Sequence, residues 1–129
     1  MRRASATVLL LLAALAPSVA RAEAVAVLQG LDKVTARIST IPAPVGESVQ
    51  FGSLHIDIRA CHKRPPEETP ESAAFLVIDD VKPGEAPVRI FSGWMFASSP
   101  ALSALEHPVY DVTLVDCRNA ASSSSESSQ

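Results

Sequence analysis

The chain has few of the residues that announce chemistry. It contains two cysteines, three histidines and two methionines, with no Cys-x-x-Cys pair, no His-x-His pair and no Met-rich run. Those are the spacings that gather soft or imidazole ligands around zinc or copper. No Gly-x-Ser-x-Gly elbow occurs, so a serine nucleophile lacks the sharp strand-to-helix turn that usually presents it. Lys and Arg total 11 against 14 Asp and Glu, a formal net charge of −3, and the basic residues form no stripe. Without clustered cations a phosphate backbone has nothing to bind it, which excludes nucleic acid as a partner. An anionic lipid surface is disfavoured for the same reason. No internal repeat and no second domain is visible, and only one long apolar run exists.

That run lies at the start. Met1-Arg2-Arg3 is positive, Ala4 to Ala16 is apolar, and Pro17 and the small-x-small site Ala20-Arg21-Ala22 follow. This is the three-part layout of a secretory signal peptide, expected over residues 1–22. The run falls short of the roughly 20 residues that span a bilayer as a helix. A cut before Glu23, or alternatively after Ala20, leaves a chain with no membrane insertion. The first cysteine, Cys61, is too far from the cut to carry a lipid anchor. Loss of Arg2, Arg3 and Arg21 makes the remainder more acidic than the whole.

Two cysteines in an exported chain read as one disulfide, Cys61–Cys117. Unpaired thiols or an intermolecular bond are the alternatives. A bond across 56 positions is worth about 4 kcal/mol in the chain-entropy model. Strict alternation puts Cys61 with His55, Asp57 and Arg59, and Cys117 with Asp111 and Thr113. The bond is therefore expected to clamp strand ends at the rim.

Beyond residue 22 the pattern is of strands. Ala24 to Leu28 is β-prone and closed by Gly30. Lys33 to Thr40 alternates, with Val34, Ala36 and Ile38 on one face, which predicts a half-buried strand. Ile41 to Gly46, with two prolines, reads as a break. Ser48–Phe51, Gly52-Ser53 and Leu54–Cys61 read as a hairpin. Arg64 to Pro70 holds three prolines and is expected to be a solvated loop. Ala73–Ile78 is the most apolar run and predicts a central strand. Val88–Phe91 leads into Ser92–Phe96, and Val109–Cys117 is the last strand. Ser99 before Pro100, with Leu102 and Leu105 three apart, predicts one short helix near residues 99–106. Asn119 to Gln129 is Ser-rich and expected to be disordered.

These elements describe an all-β fold: a small antiparallel β-sandwich or partly open barrel of about seven strands, in a single domain over residues 23–118. Two cysteines that bracket a tryptophan suggest an immunoglobulin domain. That fold, however, wants its Trp soon after the first cysteine and a Tyr two residues before the second. Here Trp94 and Tyr110 are misplaced for both.

Candidate chemistry is thin. Cys61, His62, His55, His107 and Cys117, with Met95, are ligand types for zinc or copper. However, adjacent strand residues such as Cys61 and His62 point to opposite faces, and a disulfide consumes both thiolates. The surviving metal candidates are His62 and His107, and no cofactor is expected. Ser92, Ser98, Ser99 and Ser103 can be drawn with His107 and Asp111 as a triad, but turn and cap roles account for most of these serines. Glu67-Glu68 and Asp79-Asp80 lack the enclosure that tunes a carboxyl for acid–base work. No catalytic set is expected.

Aromatics are scarce: four Phe, one Trp and one Tyr. Three of them crowd into Phe91-Ser92-Gly93-Trp94-Met95-Phe96. On a strand Phe91, Gly93 and Met95 face one way, and Ser92, Trp94 and Phe96 the other. One set fills a core. The other is either covered by the helix near Pro100 or left as a docking patch. Phe91, Trp94, Met95 and Phe96 are therefore the candidate partner-binding residues.

Several stretches together resemble a known family. They are Gly30-Leu31-Asp32-Lys33-Val34-Thr35-Ala36, Arg59-Ala60-Cys61 before its Pro-Pro-Glu loop, Phe91 to Leu102, Glu106-His107-Pro108-Val109-Tyr110-Asp111-Val112, and Asp116-Cys117. The chain resembles the bacterial family of small exported proteins called domain of unknown function 2155, over about Leu28 to Cys117. The resemblance implies one exported domain with both cysteines in place, and no activity, ligand or catalytic residue. The resulting expectation is a periplasmic, non-enzymatic binding or accessory module of the cell envelope, meeting an envelope protein or peptide. Periplasmic copper or zinc handling is the alternative.

Overall fold

A computed structural model describes residues 24–119. The signal peptide expected at 1–22 lies outside the described residues, as does the expected tail from residue 120 onward. Eight strands and one helical turn follow in order: β1 (Ala24–Asp32), β2 (Arg37–Pro44), β3 (Ser48–Phe51), β4 (Leu54–Lys63), β5 (Ser72–Asp80), β6 (Val88–Phe96), α1 (Pro100–Ser103), β7 (Leu105–Glu106) and β8 (Tyr110–Asn119). Seven strands have four residues or more; β7 is a two-residue pairing. They form two four-stranded antiparallel sheets, β2-β1-β8-β7 and β3-β4-β5-β6. The sheets pack face to face as a sandwich, not a closed barrel.

The core is the two inner faces. Leu28, Val112 and Leu114 from one sheet meet Leu54, Ile56, Ile58, Leu76, Ile78 and Met95 from the other. Burying one such side chain fully contributes about 1.5–3 kcal/mol. The central strand expected at Ala73–Ile78 is β5, between β4 and β6. The hairpin of β3 and β4 closes through Gly52-Ser53, with Phe51 opposite Leu54 and Gly52 at φ 58°.

Several expectations are corrected. The strand expected from Lys33 to Thr40 begins only at Arg37. Lys33 to Ala36 form a turn, held by the Val34 and Thr35 N–H groups donating to Asp32 Oδ1 and bent through Ala36 at φ 57°. Val34 and Ile38 are 77% and 65% exposed. Of the break expected at Ile41–Gly46, Ile41 to Pro44 are instead the second half of β2, and only Val45 and Gly46 turn. That strand is a sheet edge, where a proline costs no ladder bond.

The helix is one turn, not residues 99–106. Pro100 takes the first helical position, but Ser99 makes no side-chain cap bond. Leu105 instead leaves the helical path to enter the core at 5% exposure and pairs with Val112. Asn119, expected to start the tail, ends β8.

The last correction concerns the cysteines. Of three β-bulges, one leaves Ile90 as an extra residue in β6, and two break strict alternation ahead of the cysteines. Ile58 pairs with Leu76 and Ala60 with Phe75, so Arg59 is an extra residue in β4. Leu28 pairs with Leu114 and Val27 with Asp116, so Val115 is an extra residue in β8. Each extra residue reverses the faces beyond it. Cys61 and Cys117 therefore turn inward and become 7% and 4% exposed.

Candidate functional site

The inward turn brings Cys61 of one sheet against Cys117 of the other. They form a disulfide with a Cα–Cα distance of 5.8 Å. It pins the two sheets together at one end of the core, where sequence alternation had placed it on the rim. Above it lies an open pocket of about 570 Å³, walled by Pro65, Pro66 and Pro70 and rimmed by His62, Arg64 and Arg118. Asp116 lies beside the bond and organises this end. Its Oδ1 accepts from Lys63 Nζ at 3.0 Å and from the Cys117 N–H at 2.9 Å, and Arg118 Nε approaches Oδ2 at 3.4 Å. Burial pushes the Asp116 carboxyl up, but Lys63 and these donors outweigh it and hold the group below its ordinary value.

His62 connects the pocket to the outer face of the β3-β4-β5-β6 sheet. Cross-strand register arranges that face in rows. Gln50, His55, Asp79 and Arg89 form a polar row at one end. Ala60, Phe75 and Trp94, then His62, Ala73 and Phe96, form apolar rows at the other. Trp94 meets Phe75 edge-on at 5.5 Å and lies 6.2 Å from the His62 ring. Trp94 is 43% exposed and Phe96 41%. The two-face reading of Phe91–Phe96 matches the register: Met95 is buried at 1% and Phe91 packs against the core. The helical turn does not cover Trp94.

The turn into α1 is fixed from the β4–β5 connection. Glu71 accepts from the Ser98 N–H at 3.1 Å, from the Ser98 hydroxyl and from the Ser72 N–H at 3.0 Å. The Ser98 hydroxyl and amide are the chief cause of its lowered pKa. This brace just past the end of β6 had no short-range signal in the sequence.

His107 sits at the opposite end. Its Nδ1 accepts the Val109 N–H at 3.1 Å, so Nε2 carries the proton and meets Asp80 Oδ2 at 3.0 Å. The ring stacks on Tyr110, which meets Phe51 edge-on. Asp80 is 7% exposed. The neighbouring Ser53 hydroxyl, ahead of His107 and Lys82, holds its carboxyl below the ordinary value. Lys33 Nζ donates to the His107 carbonyl and pairs with Asp111, both at 2.8 Å.

This geometry separates the sequence candidates. Both sulfurs are bonded to each other, and both ring nitrogens of His107 are engaged within the fold. His62 lies near one end of β4 while His107 meets Asp80, which is opposite the other end. At about 3.3 Å per residue, roughly 25 Å of strand separates the two histidines. Among the described residues no three His, Cys, Asp or Glu stand together as metal ligands. The drawn triad is not assembled either: Asp111 holds Lys33, Ser98 holds Glu71, and the partner of His107 is Asp80. Glu67 and Glu68 are exposed in the proline loop, and Asp79 pairs with Arg89 at 3.0 Å.

The molecule is thus an all-β sandwich domain with one inter-sheet disulfide and an outward aromatic face. A family model described as an uncharacterized protein conserved in bacteria, domain of unknown function 2155, matches residues 26–117. The chain belongs to that family. The matched stretch runs from Ala26 to Cys117, which are direct partners in the β1–β8 ladder. An uncharacterized protein of Rickettsia prowazekii (strain Madrid E) is 34% identical over 87 residues, covering 67% of this chain and 56% of the relative. The chain thus spans little more than half the length of that relative. No solved structure matches.

Proposed function

We propose that this protein is an exported, non-enzymatic binding or accessory module of the bacterial cell envelope that docks a protein partner through its Trp94 face. The observation that carries the reading is Trp94 itself. It is the one tryptophan in the chain, held edge-on by Phe75 yet 43% exposed. Half-exposed aromatics on a rigid sheet are the residues that anchor interfaces. The N-terminal signal layout supports export. The buried disulfide supports it as well, because such bonds persist in oxidising compartments and are rare in the cytosol.

Two measurements test this. Cell fractionation of a tagged full-length chain should place it in the periplasm, and deletion of residues 4–16 should retain it in the cytosol. Pull-down from envelope extract should recover a partner with the wild type and lose it with Trp94→Ala at unchanged urea midpoint. Equal recovery by both would remove the docking role.

A further inference from the structure

The sandwich has four sheet edges, and they are not equally guarded. β2 carries Pro42 and Pro44, β3 has four residues, and β7 has two. β6 has nine residues and neither Pro nor Lys, and past a bulge at Ile90 its ladder with β5 is regular from Phe91 onward. Among the described residues its ladder is with β5 alone, so alternate N–H and C=O groups from Phe91 to Met95 point away from the sheet. Proteins commonly blunt such edges with proline, charge, bulges, shortness or cover, because an open edge templates a further strand. Three of the four edges here are blunted in these ways, and the part of β8 left open beyond β7 carries a bulge at Val115 and the charges of Asp116 and Arg118. The fourth runs directly beside Trp94.

From this we infer that β6 accepts an extended segment of a partner protein by strand addition, with Trp94 anchoring alternate side chains of the incoming strand. The inference rests on the reading of Trp94 as a docking residue and names what docks there. Charge selects the occupant. The one charge on β6, Arg89, is held by Asp79 at 3.0 Å, so the edge is a neutral strip and a neutral partner strand fits it. A charged strand would leave its charge uncompensated beside the Trp94 and Phe75 rings. Area argues against a second copy. A nine-residue strand is about 30 Å long and about 5 Å wide. With the Trp94 ring it offers on the order of a few hundred Å², below the roughly 800 Å² per partner of a stable interface between folded domains. Strand addition needs less, because its affinity comes from main-chain hydrogen bonds and its specificity from alternate side-chain sites.

The test is selection of a displayed random nine-residue peptide library on the oxidised protein, followed by synthesis of the winners. Winners should be neutral and alternate apolar with polar residues. Their binding should shift the emission of the sole tryptophan to the blue and slow amide exchange at alternate residues of β6. Ser92→Pro and Gly93→Pro separate edge from ladder, because neighbouring N–H groups point to opposite sides of a strand. The variant that keeps the wild-type urea midpoint should bind at least tenfold more weakly. If neither variant folds, the exchange pattern on the wild type decides. Retained affinity in the folded proline variant, acidic winners that map to Arg64, protection away from β6, a protein dimer paired through β6, or no enrichment would each overturn the inference. Loss of binding in Trp94→Ala together with retained binding in the folded proline variant would reject strand addition and leave the Trp94 reading standing.

Discussion

At one end of the sandwich Phe51, Tyr110 and His107 interlock over two glycines; at the other, one disulfide closes the core and Trp94 faces outward. The first end is held by many fitted contacts. A Cβ on Gly30 would come within 2.7 Å of Phe51, and one on Gly52 within 2.3 Å of Tyr110. His107 uses both ring nitrogens, and Lys33 ties the β1–β2 turn to the His107 carbonyl. The second end relies on a covalent bond, with Asp116 and Glu71 bracing the chain beside it. There a pocket stays open and aromatic surface stays uncovered. Exposure alone does not mark the end proposed for docking. Val34, on the turn at the interlocked end, is 77% exposed against 43% for Trp94. What distinguishes Trp94 is its rigid aromatic support and the unguarded strand edge beside it.

The comparison can be broken most severely at the open end. Replacing both cysteines, Cys61→Ala with Cys117→Ala, should cost about 4 kcal/mol in urea denaturation. Amide exchange in the reduced wild-type protein should rise first at Cys61–Lys63 and Ser72–Ala74, with the Tyr110 end still protected. Uniform loosening would show that the two ends are not separately held.

The interlocked end is tested by Gly52→Ala, which combines a left-handed backbone position with a clash against Tyr110. A loss of about 2–4 kcal/mol is expected, measured as a lowered urea midpoint. Acid should affect both ends. Asp80 and Asp116 are held below their ordinary values, so their contribution is fully present above about pH 4. It is lost as pH falls through the lowered values. The urea midpoint should therefore be level from neutral pH to about pH 5 and drop below about pH 4. Asp80→Asn and Asp116→Asn should each flatten part of that drop. The smallest effect is a gain: Ala36→Gly relieves a positive φ in the Lys33–Ala36 turn and should raise stability by about 0.5–1 kcal/mol in the same assay.

Period-two patterning carried much of the fold, and its failures share a cause. The faces of Leu54, Ile56 and Ile58, the central position of β5 and the two-sided character of Phe91–Phe96 follow from local alternation. Alternation predicts faces only while each residue has one partner. Arg59 and Val115 each stand as an extra residue, and a bulge leaves no local signature that survives among β-branched and long side chains. The pairing of Cys61 with Cys117 was therefore legible, while its place in the core was not. β2 was misread because proline forbids a central strand but not an edge, and edge status is a tertiary fact. The 99–106 segment has helical spacing, but the core claims Leu105 for a strand. At the candidate site, Trp94 stood out by scarcity. The Asp80–His107 and Glu71–Ser98 contacts join residues 27 apart, beyond the reach of any local pattern.

In-cell photo-crosslinking tests the central claim most directly. A benzoylphenylalanine replaces Trp94 in one strain and Val34 in another, with the rest of the chain intact. The account predicts a discrete protein adduct from position 94 and none from position 34, although position 34 is the more exposed. Adducts from position 34 with none from position 94 would contradict it.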